Sequence, residues 1–81
     1  MTPRYDIEQW FDHGVHTNAT HLIVVCDTYD YEDYPVYVTS IEDVRAKVAQ
    51  YSGPNMQKVM EVYNLSEDKE TQLHQTRSFN F

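Results

Sequence analysis

Cysteine, glycine and positive charge are all scarce in this chain of 81 residues. Cys26 is the single cysteine, so an intrachain disulfide is excluded and the fold must rest on packing and hydrogen bonds. It sits in the most apolar segment beside Asp27, a setting for a small hydrophobe rather than for a reactive thiolate. Two glycines and three prolines argue against a loop-dominated architecture. Six basic residues stand against thirteen acidic ones, giving a formal charge of −7 at pH 7. Arg4, Arg45, Lys47, Lys58, Lys69 and Arg77 are dispersed, which removes the electrostatic footprint of a nucleic-acid binder and disfavours an anionic membrane surface. No apolar stretch approaches membrane-spanning length and no basic-then-apolar leader is visible, so a reducing, cytoplasmic compartment is expected.

What is present suffices for one small domain over 1–81. The chain is 41% hydrophobic and 14% aromatic, enough for a compact core. A domain of this length buries roughly 60% of its unfolded surface, which leaves little room for a deep catalytic cleft. Its acidity suits a basic partner, including a protein surface that normally holds nucleic acid, although the same charge also serves solubility.

The periodicity yields an element order. Ile7, Trp10 and Phe11 form one helical stripe, with Asp6 as candidate cap, Gln9 three residues on and Gly14 as candidate stop. Residues 21–27 are Val/Ile-rich without alternation, as in a central strand covered on more than one face. Pro35 is acceptable only at the start of the next strand, placed at Val36–Thr39, after a seven- or eight-residue connection. Ser40 and Asp43 read as a capping box for a second helix whose apolar stripe is Ile41, Val44, Val48 and Tyr51, ended by Gly53-Pro54. Residues 56–64 fit either period, and their punctuation and valines favour a strand with Val59, Glu61 and Tyr63 alternating against Met60 and Val62. Residues 67–81 are polar, with Leu73 almost their only apolar anchor until Phe79 and Phe81: a loosely docked helix or tail. The predicted fold is α+β: a three-stranded, mainly antiparallel sheet in order 2-1-3, covered by two helices in the order α-β-β-α-β.

Three constellations bear on chemistry. Asp27, Asp30, Glu32 and Asp33 supply hard oxygen ligands, but their spacing departs from an EF-hand and no glycine provides its sharp turn. Asp27 and Asp30 after a strand hint at aspartate-based phosphoryl chemistry, which needs a parallel sheet, further motifs and a longer chain. His13, His16 and His21 flank the first connector while His74 lies far off, so neither a zinc site nor a triad is specified. The stronger reading joins the acids to Tyr29, Tyr31 and Tyr34. Tyrosine supplies large contact area at low entropy cost, and among carboxylates it can meet Arg and Lys by ion pairs and cation–π contact.

The segment Val25–Val38, VCDTYDYEDYPVYV, with the helix Ile7–Gly14 before it, resembles small proteins carried by bacteriophages and prophages, over about the first half of the chain. That resemblance implies a phage accessory product, a class rich in inhibitors of host machinery and host defence, and brings no assigned chemistry. The expectation is therefore a non-enzymatic, cofactor-free inhibitor, monomeric or a small homo-oligomer. Its partner-binding residues are Asp27, Tyr29, Asp30, Tyr31, Glu32, Asp33 and Tyr34, docking on a basic host protein. The alternatives are an oligomeric small-ligand or divalent-metal module pairing through an exposed third-strand edge, and a small metal-dependent enzyme using Asp27 and Asp30.

Overall fold

The computed structural model describes residues 4–52, 56–75 and 78–81. Its centre is β1, His21–Asp27, flanked by β2, Glu32–Val38, and β3, Gln57–Asn64, in the order β2-β1-β3. Both neighbours run antiparallel to β1, with Ile23 opposite Val36 and Leu22 opposite Tyr63. The outer strands therefore share a direction, and α2, Val44–Tyr51, lies on the connection between them. This is the expected α+β fold with the expected strand order.

The unbroken apolar run has a direct cause. Alternate side chains of a strand point to opposite faces, and here each face meets its own helix. Leu22 and Val24 join Ile7, Phe11, Tyr63 and Leu65 beneath α1, Arg4–His16. Ile23 and Val25 join Val38 and Val62 on the other face, against Val44, Val48 and Tyr51 of α2. Leu22 to Val25 are each at most 1% exposed. Burial at about 1.5–3 kcal/mol per aliphatic side chain makes these four comparable to the whole net stability of a domain.

The first helix departs from expectation at both ends. Asp6 lies inside it, within the first turn, and Gly14 does not stop it. Termination comes at Asn18, whose φ of 64° is left-handed. The Asn18 N–H donates to the Val15 carbonyl (3.2 Å) and the Ala19 N–H to that of Gly14 (2.9 Å). This is the paired bonding of a Schellman cap with asparagine at the left-handed position. Gly14 is instead a buried close-approach residue. A Cβ there would lie 2.6 Å from Leu65 Cδ1 and 3.0 Å from Tyr37 Cε1.

The second strand begins at Glu32 rather than Val36, with Pro35 in its middle opposite Val24. The Thr20 N–H donates to the Val38 carbonyl at 2.7 Å, so Val38 turns its polar backbone toward the sheet. By alternation Pro35 turns its nitrogen to the free edge, where no donor is missed. The second helix also starts later than the Ser40–Asp43 box implied. Asp43 is the cap, its Oδ1 accepting from the Arg45 N–H at 3.0 Å. The preceding turn closes through Glu42, whose carboxylate accepts from the Thr39 N–H and hydroxyl, both at 3.0 Å, and pairs with Lys47. These donors hold the Glu42 carboxyl at about 2, Lys47 contributing most. Ile41, expected on the buried stripe, belongs to that turn and is 93% exposed. The expected Gly53-Pro54 stop lies outside the described residues.

Residues 57–64 are a strand with a register shift: Val24 faces Glu61 while Val25 faces Val59, leaving Met60 as the extra residue. The bulge puts Val59 and Tyr63 against different helices, which is why neither period fitted the segment alone. Beyond it, Asp68 caps α3, Lys69–Leu73, by accepting from the Thr71 N–H (2.9 Å) and hydroxyl (2.6 Å). Arg4 to Glu70 (2.9 Å) and Lys69 to Asp12 (3.0 Å) tie α3 to α1. The pins are mainly polar: buried Gln72 brackets the backbone of Asn64, and buried Ser78 donates to the Gln72 carbonyl. Phe81 contributes by lying under the Arg45 guanidinium, 4.5 Å from its ring centre. Phe79 forms a parallel bridge with Val62, so the outer edge of β3, expected to be open for subunit pairing, is occupied at that point.

The close approach of α1 generates a prediction. Gly14→Ala raises helix propensity yet should lower stability by about 1–3 kcal/mol, because Leu65 and Tyr37 must move. Urea unfolding checks it; an unchanged or higher midpoint refutes the contact.

Candidate interaction site at the hairpin end

With β2 starting at Glu32, the acidic loop contracts to residues 28–31, joining two paired strands. Asp27 ends β1 directly opposite Glu32, and Asp33 faces Cys26. The expected long, independent loop is thus a four-residue β-hairpin turn, and Glu32, Asp33 and Tyr34 stand on a strand. The turn is locally determined. Asp27 Oδ1 accepts from the Tyr29 N–H at 2.8 Å and the Asp27 carbonyl from the Tyr31 N–H at 2.6 Å. An aspartate closing its own turn in this way is a recurrent device. Tyr31 completes it with a φ of 58°, a conformation unfavourable for a bulky side chain.

The predicted residues divide by environment. Tyr29 and Tyr31 are 72% and 78% exposed, and Asp30 and Glu32 are exposed beside them. Tyr34 is half-buried and turns back toward the α2 side, where its hydroxyl accepts from Gln57 Nε2. Burial pushes its phenol up, so it belongs to the sheet rather than to the projecting tip. Asp33 lies against the Cys26 thiol. The ion pairs of Arg4, Lys47 and Lys69 all lie elsewhere, with Glu8, Glu70, Glu42 and Asp12. Among the described residues, none reaches Asp27, Asp30 or Glu32.

Met56 joins this end of the molecule. Its carbonyl accepts from the Thr28 N–H at 2.8 Å, its φ is 61°, and its side chain is 57% exposed. Sequence reasoning assigned Met56 to the ambiguous third element. The only signal was its place at the start of a strand paired to β1, so that it meets the hairpin turn. Exposed methionine adds an adaptable apolar side chain at the same end of the sheet as the hairpin turn.

The other candidate chemistries find little geometry. Among the described residues, no group of three or more His, Cys, Asp or Glu side chains is arranged to hold a metal. His13 packs on Tyr37 at 5.4 Å between ring centres, and His21 bonds Thr20, so the histidines around the connector serve separate ends. Burial raises the Cys26 thiol, Asp33 adds to the effect and Lys58 opposes it, which leaves a poor nucleophile. No helix among the described residues is long and apolar enough to cross a membrane. Comparison with protein-family models, curated proteins and solved structures finds no match.

Two measurements test the geometry. Cys26 should react with a disulfide reagent far more slowly in the native protein than in urea at the same mildly alkaline pH; equal rates would show an accessible thiolate. Tyr31→Asn should raise stability by about 1 kcal/mol, since asparagine tolerates the left-handed backbone and the lost phenol is mostly solvated. A clear loss of stability would mean that the ring packs on the protein.

Proposed function

We propose that this chain works by binding a basic protein surface through its hairpin end, as an inhibitor in the manner of phage accessory proteins. One observation carries the reading. Tyr29 and Tyr31 stand in solvent among Asp27, Asp30 and Glu32, and the described basic side chains that form ion pairs are engaged elsewhere. Exposed aromatic surface costs free energy unless a partner covers it, and unneutralised carboxylates steer a cationic partner toward it. Tyr29, Tyr31 and Met56 are the desolvated anchors; Asp27, Asp30, Glu32 and Asp33 supply the field, with Tyr34 bracing the strand beneath. A partner whose cationic face normally holds nucleic acid, such as a defence or nucleic-acid-handling protein of a host cytoplasm, has the required charge. The chain's net charge of −7 supports that choice and opposes direct contact with nucleic acid.

The decisive experiment captures partners from host lysate with the wild-type chain and with an Asp30→Lys, Glu32→Lys variant. The partner retained only by the wild type is then purified and titrated at several salt concentrations. Charge reversal should weaken binding at least tenfold, roughly 1.4 kcal/mol or more, and flatten its salt dependence. Tyr31→Asn should weaken the same complex despite its gain in stability. Equal affinity of wild type and charge-reversed chain would remove the hairpin from the interface.

A further inference from the structure

Resting on the function proposed above, we infer that the hairpin end copies one strand of nucleic acid, so that the basic surface it covers is a single-strand groove rather than a duplex-binding face. The hairpin carries an internal conflict. Asp27 of β1 and Glu32 of β2 stand directly opposite each other. Facing residues of an antiparallel pair share one face of the sheet, with Cβ atoms about 4.5–5.5 Å apart, and like charges there weaken the pairing. Asp30 adds a third carboxylate from the turn between them.

The fold does not neutralise this group. Among the described residues, the ion pairs of Arg4, Lys47, Lys69 and His74 lie with other acids, and none reaches Asp27, Asp30 or Glu32. Lys58 of β3 faces Cys26, so alternation turns it to the other face of the sheet from Asp27. Asp27 Oδ1 accepts the Tyr29 N–H, which orders the turn and leaves the charge in place. Nor do the acids converge as ligands: among the described residues, no three His, Cys, Asp or Glu side chains are placed to hold a metal ion. The repulsion is relieved by cations brought from outside, as a row of Arg or Lys on a partner surface brings them.

The rings decide which kind of basic surface fits. Tyr34, Tyr37 and Tyr63 are turned into the fold, whereas Tyr29 and Tyr31 stand in solvent, interleaved with Asp27, Asp30 and Glu32. A single strand of nucleic acid likewise offers alternating negative charge and flat rings. Proteins that hold it answer with a basic groove along the backbone and with aromatic or guanidinium planes on which bases stack. A duplex keeps its bases stacked inside, and its binders meet mostly phosphate and sugar. On such a face the two phenols would find no plane to cover them. The four-residue turn between paired strands also presents these groups on a narrow ridge, the shape that enters a groove.

Two measurements test this. On the chain alone, Glu32→Gln should raise the urea midpoint at low salt, and the gain should shrink at high salt, because one of two facing charges is removed. A lower midpoint would mean that the carboxylates are not in conflict, and overturns the inference. With the partner captured by the wild-type chain, a fluorescent oligothymidylate and a duplex of equal length serve as probes. The chain should displace the oligothymidylate competitively. A Tyr29→Ser, Tyr31→Asn variant should need at least about tenfold more protein to do so, with an unchanged salt slope, since it loses two stacking rings and no charge. Chain and oligothymidylate bound together, a partner that holds no single strand, a duplex displaced as readily, or equal competition by the tyrosine variant overturns the inference and leaves the basic-partner reading standing. Equal affinity of the Asp30→Lys, Glu32→Lys chain removes that reading, and this inference with it.

Discussion

The burial of β1 on both faces and the pairing of both its edges constrain everything else in this molecule. A strand with Leu22 and Val24 on one side and Ile23 and Val25 on the other demands two separate covers, and a chain this short has just enough helix to provide them. α1 takes one face and α2 the other, so neither can shift without exposing a row of aliphatic side chains. The tolerance is small on the α1 side, where a glycine sits against Leu65 and Tyr37. Packing density of this kind turns a local sequence choice into a global restraint.

Much of this was legible in advance because it depends on patterns that repeat. The non-alternating apolar run placed β1 within its true limits, and the positions of Val44, Val48 and Tyr51 located the face of α2. The failures cluster where one residue type serves two physical ends. Glycine signals a helix stop, yet Gly14 is used for its missing side chain, and the stop passed to Asn18. Proline signals the absence of a strand, yet Pro35 is compatible with one when its nitrogen faces outward. Moving the start of β2 to Glu32 then shortened the acidic connection and drew Tyr34 toward the core, while the exposure of Tyr29 and Tyr31 stood as expected. The Met60 bulge and the contribution of Met56 depend on inter-strand register, which a single sequence does not encode in any local period.

The two ends of the sheet carry different chemistry. At one end a short turn holds phenol rings and carboxylates in water, and its backbone is fixed by Asp27 together with the bond from the Thr28 N–H to the Met56 carbonyl. At the other, amide and hydroxyl side chains of Asn64, Gln72, Ser78 and Asn80 knit the last residues onto β3. Ion pairs join α1 to α3 and close the turn before α2, and being largely exposed they contribute only modestly to stability. The sheet therefore lies between an exposed turn of tyrosines and carboxylates and a last segment held to β3 by polar contacts.

Pro35 has one more consequence. A row of free backbone donors and acceptors along an outer strand is a template on which identical molecules stack without limit. The pyrrolidine ring deletes a donor from the middle of that row on β2, an outer strand of the sheet. That obstacle to lateral stacking is covalent rather than electrostatic, so it persists at acidic pH, where protonated carboxylates no longer hold neighbouring copies apart.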